Sequence, residues 1–260
     1  LFRSSFARLG ELIPPEARVL LLYGGGSIKR NGVYEQVTQA LAGRQIVEFA
    51  GVEPNPTLET LEQAVALVRE QGVDFILGVG GGSVSDGAKF VACAALYDGD
   101  GWDIVSGKHV PRQALPVGIV LTLPATGSEM NNGGVITIKS EGAKLPFSSP
   151  FVFPKFSLLD PTRTNTLPEK QLANGVVDAF VHVLEQYLTT CDGAHVQDRF
   201  AEGLLLTLIE HGPAAVRSTD YSARANLMWT ATMALNGLIG AGVVQDWSTH
   251  MIGHELTVKY

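Results

Sequence analysis

An open, mostly parallel α/β sheet followed by an all-helical domain is the fold class expected of this sequence, for three reasons. Short, continuous apolar runs such as Val19–Tyr23 and Phe75–Val79 alternate with longer stretches of helical periodicity up to about residue 160. Glycine clusters stand where two of those runs end. After Leu159-Asp160-Pro161 and Leu167-Pro168 the strand signals stop and long helical patterns take over, which divides the chain into domains over 1–163 and 164–260.

The run Val19-Leu20-Leu21-Leu22-Tyr23 shows no polar alternation, as befits a strand of a parallel sheet covered on both faces. A helix over 31–43, a strand over 45–49, a helix over 57–71, the strand Phe75-Ile76-Leu77-Gly78-Val79 and a helix over 84–97 make a βαβ series. A further strand, Gly118-Ile119-Val120-Leu121-Thr122, leads into the loop Pro124-Ala125-Thr126-Gly127-Ser128-Glu129. Helical patterns then cover 168–189, 195–211, 221–238 and 247–258.

Composition narrows the function classes. At 260 residues the chain can build two ordinary domains with real cores. A net charge of −7 and a pI near 5.4 argue against nucleic acid as partner. No apolar run is long enough to cross a bilayer and no signal-peptide pattern opens the chain, so no membrane partner is expected. Two cysteines, Cys93 and Cys191, offer at most one bridge, and a reduced, cytoplasmic setting is expected. Mean hydropathy of +0.16 with 17% charged residues fits a compact or oligomeric enzyme.

The two glycine clusters are Gly24-Gly25-Gly26-Ser27 and Gly80-Gly81-Gly82-Ser83, the second opening a helix that carries Asp86. Backbone amides of such turns approach a phosphate closely, and a helix N-terminus attracts it. Neither is a Rossmann or P-loop fingerprint, and a tight strand-to-helix turn explains either one alone. Two of them at the carboxyl ends of strands in one open sheet point to a dinucleotide. Lys29 and Arg30 follow the first cluster with no acid nearby, which favours NADP over NAD; the alternative is solvated surface charge. Thr122, Thr126 and Ser128 bring hydroxyls to a third strand exit, where they could bind phosphate or ribose or serve as an N-terminal cap. Lys144, in a Gly-Ala-Lys turn context, could supply a cation to the cofactor.

The helical half carries the metal candidates. On a helix Asp178 and His182 lie ~40° apart around the axis and ~6 Å apart along it, so both reach one ion. A hydrogen bond between the two inside a helical core is the alternative. His250 and His254 repeat the i,i+4 spacing, with Glu255 placed after the second histidine, unlike the His-Glu-x-x-His zinc motif. The two pairs could converge on one divalent cation with mixed nitrogen and oxygen ligands. His109, His195 and His211 lack such partners and read as surface or capping residues.

Several motifs occur together in order: Gly80-Gly81-Gly82-Ser83 with Asp86 and Lys89, Thr122-x-Pro124-x-Thr126-x-Ser128-Glu129, Leu159-Asp160-Pro161, Gly175-x-x-Asp178-Ala179-x-x-His182-x-x-Glu185 and His250-x-x-x-His254. The set resembles the iron-containing (group III) alcohol dehydrogenase family. Tyr23-Gly24-Gly25-Gly26-Ser27 and Asn174–His182 are similar to its NADPH-dependent butanol dehydrogenase and broad aldehyde reductase branch.

The resemblance implies a dinucleotide-binding α/β domain and a helical metal domain of the dehydroquinate synthase-like type, with the active site in the cleft between them. It implies hydride transfer between NADP(H) and a primary alcohol/aldehyde pair, in a homodimer. Asp178, His182 and His250 would ligate Fe2+ or Zn2+, with His254 beside the ion as a proton relay. Gly25, Gly26, Ser27, Gly80, Gly81, Gly82, Ser83, Asp86, Thr122, Thr126, Asn131 and Lys144 would hold the cofactor. In one respect the sequence departs from the pattern: the family's fourth ligand is a histidine at a spacing that falls past Tyr260, so the metal domain over 164–260 is expected to be incomplete. The alternatives are a related enzyme of the same architecture, such as a glycerol dehydrogenase or a dehydroquinate synthase-like enzyme, and a non-catalytic nucleotide- or metal-binding fragment.

Overall fold

The computed structural model describes residues 5–190 and 193–260, with Cys191 outside them, and groups the chain into two units by contact. One unit holds 5–121, 132–158 and 254–260. It runs through α1 (Leu9–Leu12), β1 (Arg18–Tyr23), α2 (Ser27–Arg30), α3 (Val33–Ala40), β2 (Gln45–Phe49), α4 (Leu58–Gln71), β3 (Phe75–Gly80), α5 (Gly82–Ala94), α6 (Gly101–Val105), β4 (Val117–Leu121), β5 (Gly133–Ile138), β6 (Ala143–Ser148) and β7 (Phe156–Leu159). The main sheet has the order β2-β1-β3-β4-β7, with β1 parallel to β2 and β3, and β3 parallel to β4.

Because successive side chains point to opposite faces of a strand, the apolar run of β1 serves two cores. Leu20 and Leu22 join Ile76, Leu61 and Phe90 on one side, while Val19, Leu21 and Tyr23 join Phe75, Leu77, Leu9 and Val37 on the other. That double cover explains the missing alternation, and it leaves the strand ends, where the glycine clusters lie, as the accessible edge. Helix α4 begins where the Thr57 hydroxyl accepts from the Thr60 N–H, and Leu58, Leu61, Ala64, Val65 and Val68 give it one buried face.

Two expectations are corrected in this unit, and one element was not foreseen. The helix read over 31–43 is shorter, Val33–Ala40, and a separate one-turn helix, Ser27–Arg30, precedes it, the two being parted at Asn31 and Gly32. The hairpin of β5 and β6 was not legible, since β5 opens on Gly133-Gly134 and β6 carries Pro146, both of which weaken a strand signal. Asp86 and Lys89 fasten it to α5: Val135 N–H donates to Asp86 Oδ2 at 3.0 Å and Lys89 Nζ donates to the Gly133 carbonyl at 2.6 Å. Lys144 therefore sits in a strand, opposite Thr137, and not in a turn.

The second unit holds 122–131 and 159–253. Its helices are α7 (Glu169–Tyr187), α8 (His195–Arg217), α9 (Tyr221–Ala234) and the start of α10 (Ser248–Lys259). Leu172, Ala179 and Val183 from α7 pack with Ala201, Leu208 and Ala215 from α8 and with Ala223, Leu227 and Ala231 from α9. Helix α8 continues past the expected end at 211, through Pro213, to Arg217. The lost backbone bond is offset by packing, with Ala215 fully buried in the helical core. Buried Arg224 on α9 donates to the carbonyls of Thr164 and Ser218, tying the approach to α7 against α9. Gly175 on α7 lies so close to the 122–131 loop that an added Cβ would run into the Pro124 carbonyl oxygen. No helix among the described residues is long and apolar enough to cross a membrane.

Candidate metal centre

Asp178, His182 and Glu185 lie on one face of α7, three and four residues apart. The first turns of α10 bring His250 to the same face. Among the described residues, Asp178, His182 and His250 are the one group of histidine, cysteine or acidic side chains whose ligand atoms converge, all within 4.8 Å of one another. His182 Nδ1 is 3.8 Å from Asp178 Oδ2, and His250 Nε2 is 3.6 Å from Asp178 Oδ1. Both separations are too long for hydrogen bonds. The simple Asp–His hydrogen bond in a helical core is therefore not what these residues make.

The spacing suits a cation instead. Two ligand atoms at ~2.1 Å from one tetrahedral ion stand ~3.4 Å apart, close to both observed distances. His182 is 4% exposed, and its Nδ1 is buried with no hydrogen-bond partner, a condition that native interiors rarely leave. Burial pushes the His182 imidazole down to about 4, outweighing the pull of the Asp178 charge, so the ring is neutral near pH 7 and its lone pair is free. The imidazoles of His182 and His250 stack with centroids 4.3 Å apart, and Trp247 sets its edge toward both at 6.1 and 5.5 Å.

Glu185 and Trp247 are the contributors that sequence reasoning did not assign. Glu185 Oε2 is hydrogen-bonded to His250 Nδ1, while Oε1 accepts from Thr249 N–H at 2.6 Å and His250 N–H at 3.1 Å. Burial works to raise the Glu185 carboxyl, but its bonds with His250 and Thr249 outweigh it and hold it below the usual range. Burial likewise works to lower His250, and the facing Asp178 carboxylate together with the bond to Glu185 turn its net shift upward. His254, one turn further along α10, is half-buried and stands outside the three converging side chains.

The cofactor candidates fall into two groups. In the α/β unit, Gly24–Gly26 follow β1 and Ser27 opens α2; Gly26 takes the left-handed φ of 85°, and nothing lies within 4 Å of a Cβ added at Gly25 or Gly26. Such a turn leaves room for a ligand against bare backbone. Gly80 ends β3, and Gly81, Gly82 and Ser83 form the start of α5. Asn55, itself in the left-handed region with φ 58°, donates its N–H to Ser83 Oγ at 3.2 Å and accepts from Lys144 Nζ at 2.8 Å. Lys144 and the second glycine turn are thus joined through a residue that carries no local signal of its own.

In the helical unit, Thr122 is nearly buried, Thr126 Oγ1 accepts from Ser128 N–H at 3.3 Å, and Asn131 Nδ2 donates to the carbonyls of Gly127 at 3.1 Å and Leu235 at 3.4 Å. Glu129 is buried and accepts from the Thr232 hydroxyl.

The expectation that no acid stands near Lys29 fails. Glu48, in β2, comes within 3.4 Å of Lys29 Nζ and accepts from the hydroxyls of Tyr23, at 2.8 Å, and Tyr34. Lys29 also lies over the Tyr34 ring, 4.5 Å from its centroid. Burial works to raise the Glu48 carboxyl, and the two phenols and the ammonium together lower it.

Known proteins share this architecture. Residues 2–161 match the family described as iron-containing alcohol dehydrogenase, and residues 172–260 match the Fe-containing alcohol dehydrogenase family, C-terminal. The chain is 59% identical to the NADPH-dependent aldehyde reductase YqhD of Escherichia coli, over 99% of its own length and 68% of that protein's. It is 49% identical to the probable NADH-dependent butanol dehydrogenase 1 of Bacillus subtilis, with the same two coverages. The crystal structure of NADH-dependent butanol dehydrogenase A from Thermotoga maritima superposes with a TM-score of 0.95 at 43% identity, over 99% of this chain and 66% of that one. The chain thus spans about two thirds of the length of these relatives. With both stretches matched and such identities, this chain belongs to the iron-containing alcohol dehydrogenase family.

Proposed function

We propose that the chain acts as a metal-dependent alcohol dehydrogenase or aldehyde reductase, moving a hydride between NADP(H) and a primary alcohol/aldehyde pair. The observation that carries the reading is the convergence of one carboxylate and two imidazoles from α7 and α10. A divalent ion bound there would supply Lewis-acid polarisation of the aldehyde oxygen. Asp178 contributes an anionic oxygen, and His182 a lone pair kept free by burial. His250 contributes the ring nitrogen that Glu185 leaves unengaged. His254 is the residue proposed to pass a proton to the product oxygen, a task an imidazole suits. Iron is the ion to test first, since the family's name carries it, and mixed oxygen and nitrogen ligation suits zinc as well.

The glycine turns, with Ser27, Ser83, Asp86, Thr122, Thr126, Asn131 and Lys144, are proposed to hold the dinucleotide. NADP is favoured over NAD by Lys29 and Arg30 beyond the first turn and by the higher identity to an NADPH-dependent relative. Glu48, occupied by two phenols and an ammonium, is poorly placed to accept from a ribose hydroxyl. Exposed Leu206, Ile209 and Trp229 support association, and a homodimer is the assembly proposed. A cytoplasmic setting belongs to the same proposal, supported by the low cysteine count.

The test is NADPH oxidation with butanal by the iron-loaded chain. Wild type should turn over, and His182→Ala should lose turnover and bound metal while NADPH affinity stays nearly unchanged. Turnover by His182→Ala in metal-free buffer would overturn the Lewis-acid reading, and activity with glycerol but not butanal would redirect it to a related dehydrogenase.

A further inference from the structure

We infer that Glu185 is a positioning residue for the metal centre, fixing the His250 tautomer and docking α10 on α7 through one carboxylate. The inference rests on the metal reading above. Glu185 lies on the α7 face that carries Asp178 and His182, and its side chain is 7% exposed. A carboxylate kept from water needs donors for both oxygens. Here Oε1 takes the backbone N–H groups of Thr249 and His250, at 2.6 and 3.1 Å. These belong to the first turn of α10, where N–H groups have no partner within the helix. Oε2 takes His250 Nδ1.

An ionised carboxylate only accepts, so Nδ1 is the nitrogen that carries hydrogen. In the neutral ring Nε2 is then the bare nitrogen, and Nε2 is the atom that faces Asp178 Oδ1 at 3.6 Å. Glu185 thus settles both where the His250 ring sits, through the backbone that bears it, and which nitrogen can ligate. The pairing follows the general logic by which a carboxylate behind a ligating histidine orients the ring and raises its basicity. The Glu185 carbonyl also accepts from Asp246 N–H at 2.9 Å, so the segment leading into α10 is held at the same point.

The experiment compares Co2+ binding by the wild-type chain and Glu185→Gln, read by visible absorption and by Trp247 fluorescence. Glutamine keeps an oxygen for the two backbone N–H groups but turns an amide N–H2 toward Nδ1, favouring the wrong tautomer. The expected result is a loss of about 10–100-fold in Co2+ affinity, with circular dichroism and NADPH affinity as in wild type. Nitrogen–proton NMR of the zinc-loaded wild type gives a second readout that needs no variant: His250 Nδ1 should bear the proton. Equal Co2+ affinity in Glu185→Gln, or a His250 ring protonated at Nε2, would overturn the inference while leaving the metal reading intact. Failure of the wild type to bind Co2+ would overturn both.

Discussion

Among single residues, burial dominates at His182 and Cys93, while hydrogen bonds and neighbouring charges outweigh it at Glu185, His250 and Glu48. The Cys93 thiol is pushed up to about 12 by burial on α5, so almost none of it is thiolate near pH 8. Iodoacetamide should leave Cys93 unmodified in the folded chain and alkylate it in guanidinium, by intact-mass measurement; rapid modification of the native chain would contradict that burial. Under the proposed function, Lys29 would bear on cofactor choice. Lys29→Ala should weaken NADPH binding roughly tenfold and leave NADH binding nearly unchanged; equal losses for both would remove Lys29 as a reader of the extra phosphate. The i,i+4 spacing of Asp178 and His182 could be read because it is a local property of a helix, whereas the same spacing at His250 and His254 brings only His250 into the converging group. The Glu185–His250 bond joins residues 65 apart and Glu48 meets Tyr23 across 25, so neither could be read from spacing.

For helices and strands, pattern reading served where one periodicity ruled and failed where packing overrode local preference. The unbroken apolar runs of β1, β3 and β4 and the one-sided apolar faces of α4 and α7 could be read locally. Helix α8 runs through Pro213 with Gly212 and Ala215 buried on either side of it, and β6 holds Pro146 because the hairpin leaves it at an edge. Gly175 constrains a whole helix, since it lets α7 lie against the 122–131 loop at backbone contact distance. Gly175→Ala should cost ~1–3 kcal/mol by overpacking and lower the melting temperature by several degrees. An unchanged midpoint would mean that the loop yields freely and that the close approach carries no energy.

Taken as one molecule, the chain offers two kinds of structure to the two kinds of chemistry proposed for it. Parallel strands place glycine turns at their carboxyl ends, where open sheets receive dinucleotides. The helical unit buries a polar face against alanine-rich helices, where an uncharged imidazole and a carboxylate are costly unless something binds them. Motif order across the sequence made the family legible, because five ordered patterns constrain far more than one. The grouping of residues 122–131 with the helices was not legible, since nothing local marks which unit a loop joins.

The sharpest check on the metal centre is the metal content left after loading with Fe2+ and removing the excess, compared across wild type, Asp178→Ala, His182→Ala and His250→Ala. One ion per wild-type chain is expected and far less in each variant, with the helical content of all four unchanged. If all three variants kept one ion per chain, the two imidazoles and the carboxylate would not be its ligands.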